Sequence, residues 1–163
     1  MKRFKAILGT VLIAAVFIIS GSAVATMVYV EVYDWEDCTN IDEIEGINDG
    51  TYATIGVNGP PEKLGWVIVM LANSAVMGPS QDFTVFAGSI IAEDYSVYVG
   101  ETEYFAFSMY VGDGVDTGNE VFYTPSTPGK LYPYIFIIGI YGERDPATDP
   151  IYGPDIDAVG FDL

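Results

Sequence analysis

The sequence contains no histidine, one cysteine and only six basic residues among 163. Each shortage excludes a class of function. Without histidine the chain lacks the commonest general base and any zinc site built on imidazole. Serine and cysteine nucleophiles lose their usual partner for the same reason. Cys38 is alone and forms no internal disulfide. It reads as a buried small hydrophobe, with a bridge to another chain as the alternative. Bases are scarcer still past residue 25, where 23 acids face only Lys63, Lys130 and Arg144, a net charge of −20. Such a surface repels phosphate, so nucleic acid is not an expected partner, whereas divalent cations are attracted. Adaptation to brine also produces acidic chains. However, 50% hydrophobic residues and a mean hydropathy of +0.32 suit a polar-surfaced brine protein poorly. Keeping a secreted protein soluble accounts for most of these carboxylates.

What is present begins with an export signal. Lys2, Arg3 and Lys5 precede an apolar run over residues 6–19, and Ser22-Ala23-Val24-Ala25 supplies the Ala-x-Ala spacing of a cleavage site. This is the layout of a secretory signal peptide, and the run is short for a membrane span. Residues 1–25 are therefore expected to be a signal peptide cleaved after Ala25; an uncleaved anchor is the alternative. Residues 26–163 are then expected to form a single domain with a real core, secreted or displayed at the cell surface, with no stable membrane span after cleavage.

Past residue 25 nothing reads as a helix. Runs rich in Val, Ile, Tyr and Phe recur between Gly, Pro, Asn and Asp, which predicts an all-β protein. Candidate strands cover 28–33, 51–57, 66–71, 83–87, 95–99, 104–111, 134–141 and 156–161. About eight strands suit a two-sheet antiparallel jelly-roll sandwich. Residues 95–99 and 105–111 alternate, so one face of each is expected to meet solvent. Residues 135–140 are apolar almost throughout, as in a central strand covered on both sides. Gly139 within them marks a bulge or a close approach of another backbone. Residues 59–65, with Pro60 and Pro61, and the acidic, Gly-rich residues 112–119 are expected to be loops.

Four fragments in order resemble a known family. Asp49-Gly50-Thr51-Tyr52-Ala53-Thr54-Ile55-Gly56 resembles the Asp-Gly-x-Tyr-Ala-x-Leu/Ile-Gly opening of discoidin-like (galactose-binding-like) domains of secreted and cell-surface proteins. Gly78-Pro79-Ser80-Gln81-Asp82-Phe83-Thr84-Val85-Phe86 is similar to their Gly-Pro-x-x-Asp-Phe-x-Val-Phe-Glu. Tyr95-Ser96-Val97-Tyr98-Val99 resembles the strand that follows, and Pro154-Asp155-Ile156-Asp157-Ala158-Val159 the closing element. The likeness covers about residues 40–163. Two departures stand out. Ala87 replaces the family's Glu, and Gly100-Glu101-Thr102-Glu103-Tyr104 replaces its Ser-x-Asp-Gly-x-x-Trp hairpin. The resemblance implies chain ends that meet, acidic turns that share a structural calcium ion, and a glycan or another surface ligand as partner.

For calcium, which takes six to eight oxygens, the candidate ligands are Asn40, Asp42, Asp49, Asp155 and Asp157, with Asn48 beside them. The same carboxylates would also serve as caps of their own turns. For a glycan, the candidates are aromatic residues in or beside loops: Trp35, Tyr132, Tyr141 and Tyr152, each of which would equally fill a half-buried β face. Asp145 and Asp149 can be drawn as a glycosidase pair, but Pro146 and Pro150 behind them read as turns. The expectation is a non-catalytic binding module. The alternative is a structural protein that self-assembles into an extracellular layer or filament, with a free strand at residues 27–33 adding to a neighbour's sheet.

Overall fold

The computed structural model describes residues 27–45, 48–57, 63–89, 92–140 and 153–162. The expected signal peptide, Tyr141, Tyr152, Asp145 and Asp149 lie outside them. The described part is an antiparallel β-sandwich. Strand β1 (Met27–Glu36) is followed by the two-residue strands β2 (Ala53–Thr54), β3 (Gly56–Val57) and β4 (Lys63–Leu64). Longer strands then follow: β5 (Trp66–Leu71), β6 (Asp82–Ala87), β7 (Asp94–Gly100), β8 (Met109–Val115), β9 (Glu120–Tyr123), β10 (Tyr134–Ile140) and β11 (Asp155–Asp162). Eight strands of four or more residues form the two-sheet jelly roll that the apolar runs predict.

One sheet runs β8-β7-β10-β5-β1 and the other β1-β11-β6-β9, with β2 added to β11. Strand β1 belongs to both: Met27 to Tyr29 pair with β11, and Val30 to Glu36 pair with β5. At the opposite margin β8 leads directly into β9, closing the sandwich there. Between the sheets, alternate residues form the core: Val67, Val69 and Leu71 of β5, Tyr95, Val97 and Val99 of β7, and Ile135 and Ile137 of β10 face Phe83, Phe122, Ile156 and Phe161. Each large side chain buried this way contributes about 1.5–3 kcal/mol of transfer free energy. Phe83 and Phe122 stack with centroids 5.7 Å apart.

Strand β10 is central, flanked by β7 and β5. Gly139 marks a close approach, as its position suggested: a Cβ there would sit 2.7 Å from the Ile55 carbonyl oxygen. The Gly139 amide donates to Gly65 O at 3.0 Å. Cys38 is buried, its thiol donating to the carbonyls of Glu36 and Trp66, and burial pushes its pKa up to about 12.

Several expectations are corrected. Residues 104–111 are not one strand: Phe105–Phe107 form a 3-10 turn, and β8 begins at Met109. That strand runs on to Val115, through residues expected to be loop, because Gly112 to Val115 continue the antiparallel pairing with Val97 to Asp94 of β7. Strand β9 has no predicted counterpart. The stretch 51–57 is broken at Ile55, whose amide turns to the Pro154 carbonyl at 2.9 Å. The outer face of β7 is partly covered: Ser96 is buried with its hydroxyl donating to Asp113 Oδ1 at 2.5 Å, while Asp94 and Tyr98 keep part of their surface. Finally, the N-terminal strand is not free to join a neighbour, because both halves of it pair within the chain.

Candidate functional site

Two places gather polar or aromatic groups. The first is where the opening and closing turns meet. Strand β2 pairs with β11, setting Thr54 opposite Asp155 and Ala53 opposite Ile156. Asp157, 1% exposed, accepts the Gly50 amide at 2.8 Å through Oδ2 and the Asp49 amide at 3.3 Å through Oδ1. Asp155 accepts the Thr54 hydroxyl at 2.7 Å. The Asp49 carboxylate, fully at the surface, accepts the Thr51 hydroxyl and amide, which hold it below the usual carboxylate range. Asn40 and Asp42 are exposed around the 3-10 turn Ile41–Ile44, where their backbone carbonyls accept the amides of Glu43 and Glu45.

The structure therefore brings Asp49, Asp155 and Asp157 to one end of the closing strand. Their oxygens meet backbone amides and threonine hydroxyls. Among the described residues no group of three carboxylate or thiol side chains is gathered closely enough to hold a metal ion. The oxygens of Asp155 and Asp157 are thus spent on the turn, and the Asp49 carboxylate on Thr51. A further carboxylate escaped the sequence reading. Asp116 is fully buried, taking the Glu93 amide at 2.8 Å and the Asp155 amide at 2.9 Å. Burial pushes its pKa up to about 6, against the pull of those two amides.

The second place is a cleft of about 520 Å³ on the outer face of the five-stranded sheet. Alternation along β5 and β10 sends Trp66 and Ile68, Phe136 and Ile138 outward, and the register sets Ile68 opposite Phe136 and Trp66 opposite Ile138. Trp66 and Ile138 keep part of their surface and make the open floor, while Ile68 and Phe136 are buried beside them. A slip in the pairing of β1 between Val32 and Asp34 places Asp34 opposite Ile68, at one margin of the cleft. The other margin is residues 103–106, the connection between β7 and β8. Phe105 pins that connection to the sheet, its ring edge-on to Tyr98 at 4.9 Å and to Phe136 at 5.8 Å. Tyr104 beside it is 61% exposed. Glu103 adds a second carboxylate to the lining. At the Trp66 end, the indole N–H donates to Glu36 Oε2 at 3.2 Å, fixing the ring.

The predicted glycan ligands fare differently. Trp35 is about half exposed but sits on β1 next to Asp34, on the alternate face and outside the cleft. Tyr132 is fully buried, because its backbone bridges to Met77 and draws the ring into the core, so it is not available to a ligand. The cleft residues Trp66, Tyr104 and Phe105 were missed. The available signal was that β5 is apolar on both faces, although only one faces the core.

No family model and no curated protein matches the sequence. Among solved structures, the chain is similar to truncated AlyQ with CBM32 and alginate lyase domains, at 13% identity and a TM-score of 0.53. The match covers 85% of this chain and 34% of that one, so the chain spans about a third of its length. It is also similar to the CBM32 of AlyQ in complex with 4,5-unsaturated mannuronic acid, at 13% identity and a TM-score of 0.48, over 82% of this chain and 96% of that one. The fold is the discoidin-like, galactose-binding-like jelly roll that the four fragments suggested.

Proposed function

We propose that this chain is a secreted or surface-displayed, non-catalytic module that binds glycan in the cleft over β5 and β10. The observation that carries the proposal is the cleft itself: a sheet face left partly open at Trp66 and Ile138 and walled by Tyr104 and Phe105, with carboxylates at both margins. Aromatic faces take the apolar C–H side of a sugar ring, and carboxylates accept its hydroxyls. The likeness of the fold to a structure holding a CBM32 domain points the same way. Calcium forms no part of the proposal.

The test is affinity electrophoresis of residues 26–163 through gels containing single polysaccharides. At least one neutral or charged glycan should retard the protein, and Tyr104→Ala should weaken that binding about fivefold, as expected for one aromatic contact of about 1 kcal/mol. No retardation by any polysaccharide, or retardation indifferent to Tyr104→Ala, would sink the proposal. A second reading, self-assembly in an extracellular layer, is favoured by Phe107 and Tyr123, which are 74% and 62% exposed. Concentration-dependent growth in solution size, abolished by Phe107→Ser, would support it.

A further inference from the structure

We infer that the cleft selects amine-bearing saccharides, sugars whose amino groups are free and protonated, over neutral and acidic ones. The inference rests on the glycan-binding proposal and names the chemistry of its ligand. Its basis is the combination of charge and aromatic faces within one cavity. Asp34 and Glu103 line the cleft, and among the described residues no lysine or arginine does. Of the described bases, Lys130 is already ion-paired with Glu101. Oδ1 of Asp34 accepts the Trp35 amide at 2.9 Å, which orients that carboxylate at the cleft margin. The negative charge of Glu103 is felt across the margin by Tyr33, where it helps hold the phenol above its usual range after the effect of burial.

An ammonium group entering here meets a carboxylate at either margin and the rings of Tyr104, Phe105 and Trp66 in the same lining. Cation–π contact and ion pairing then act together. A neutral sugar gains only the stacking and hydroxyl hydrogen bonds. A uronate or sulfated sugar brings its charge into a cleft of the same sign on a chain of net charge −17, and is repelled. Each exposed ammonium–carboxylate or ammonium–aromatic contact is worth about two- to fivefold in affinity. Two or three of them discriminate about tenfold or more.

The experiment titrates the protein with a glucosamine hexamer, its fully N-acetylated counterpart and a uronic acid hexamer, at low and at high salt. The glucosamine hexamer should bind about tenfold more tightly than the acetylated one, and the uronate not measurably. The preference should shrink at high salt, where charges separated by more than about 3 Å are screened at 1 M. The double variant Asp34→Asn, Glu103→Gln should erase the preference, so that on the variant the glucosamine hexamer binds no more tightly than the acetylated one. Both substitutions are at the surface and near-isosteric, and an unchanged melting curve verifies the fold. Equal binding of acetylated and free-amine hexamers, both lost in Tyr104→Ala, would overturn the inference and leave the glycan proposal standing. A glucosamine preference that survives both the double variant and Tyr104→Ala would overturn the cleft as its seat. Binding of none of the three would overturn the inference, while the polysaccharide gels decide the glycan proposal separately.

Discussion

Replacing Asp157 by alanine tests what the meeting of the two acidic turns is for. The carboxylate accepts two amides from a turn 107 and 108 residues earlier in the chain, at 2.8 and 3.3 Å. A hydrogen bond to an ionised acceptor contributes about 1.5–3 kcal/mol, and the longer contact adds about 0.5 kcal/mol. Asp49 and Gly50 are exposed, so their freed amides regain water, and the variant no longer carries a buried charge. The net loss should be about 2 kcal/mol. At about 3 °C per kcal/mol for a domain of this size, the melting temperature falls by roughly 6 °C. Asp157→Asn keeps an acceptor for one amide and turns a donor toward the other, so it should lose about 1 kcal/mol. Urea unfolding of the three proteins at neutral pH measures the series. An alanine variant within about 0.5 kcal/mol of the parent would refute the reasoning. The same melts with chelator and with added calcium should superimpose. A calcium-dependent rise in melting temperature that Asp157→Ala abolishes would show that an ion, not the turn amides, is what the carboxylate holds.

Three further outcomes follow from the described contacts. Asp116 has a folded pKa of about 6, raised by burial above the ordinary carboxylate value, so the folded state binds the extra proton. Its effect is absent below about pH 4, appears as pH rises, and by pH 7 has removed about 2–3 kcal/mol of stability. Asp116→Asn should flatten that fall in unfolding free energy between pH 4 and 7, and an unchanged slope would exclude Asp116 as its source. Gly139→Ala forces a methyl group against the Ile55 carbonyl oxygen, 2.7 Å away, and should cost about 2 kcal/mol or more in denaturant unfolding. Cys38, buried and with its thiol raised to about 12, should resist thiol reagents at pH 8 in the native protein and react at once in urea.

The strands that read clearly in the sequence are those whose apolar runs end at glycine or proline, as β5, β6 and β10 do. The pairing of Asp49 and Asp157 was legible too, through the opening and closing fragments. Strand β9 was not, because Glu120-Val121-Phe122-Tyr123 has one inward apolar side chain and follows residues typical of turns. The cleft was hidden for a different reason. Phe136 and Ile138 are no different in composition from Ile135 and Ile137, and a fully apolar strand implies cover on both faces. Whether a second layer actually lies over the outer face depends on where residues 101–108 go, and the alternation over residues 105–111 reads as strand. Tyr132 shows the same limit in reverse: among prolines it resembles a loop residue, and its bridge to Met77 buries it.

Strand β1 is shared between the sheets, and this has a mechanical consequence. Met27 lies opposite Asp162, so whatever is joined before the one and after the other leaves the domain side by side. Tension across those two points would load the β1–β11 pairing in a peeling direction, opening its three residue pairs one after another at low force. The part of β1 held by β5 would resist next, its pairing continuing from Val30 to Glu36. Single-molecule stretching from these two ends should show a weak first rupture followed by a stronger one, and a single abrupt event would contradict that order. Up to the first rupture, the floor of the cleft on β5 and β10 would carry none of the load.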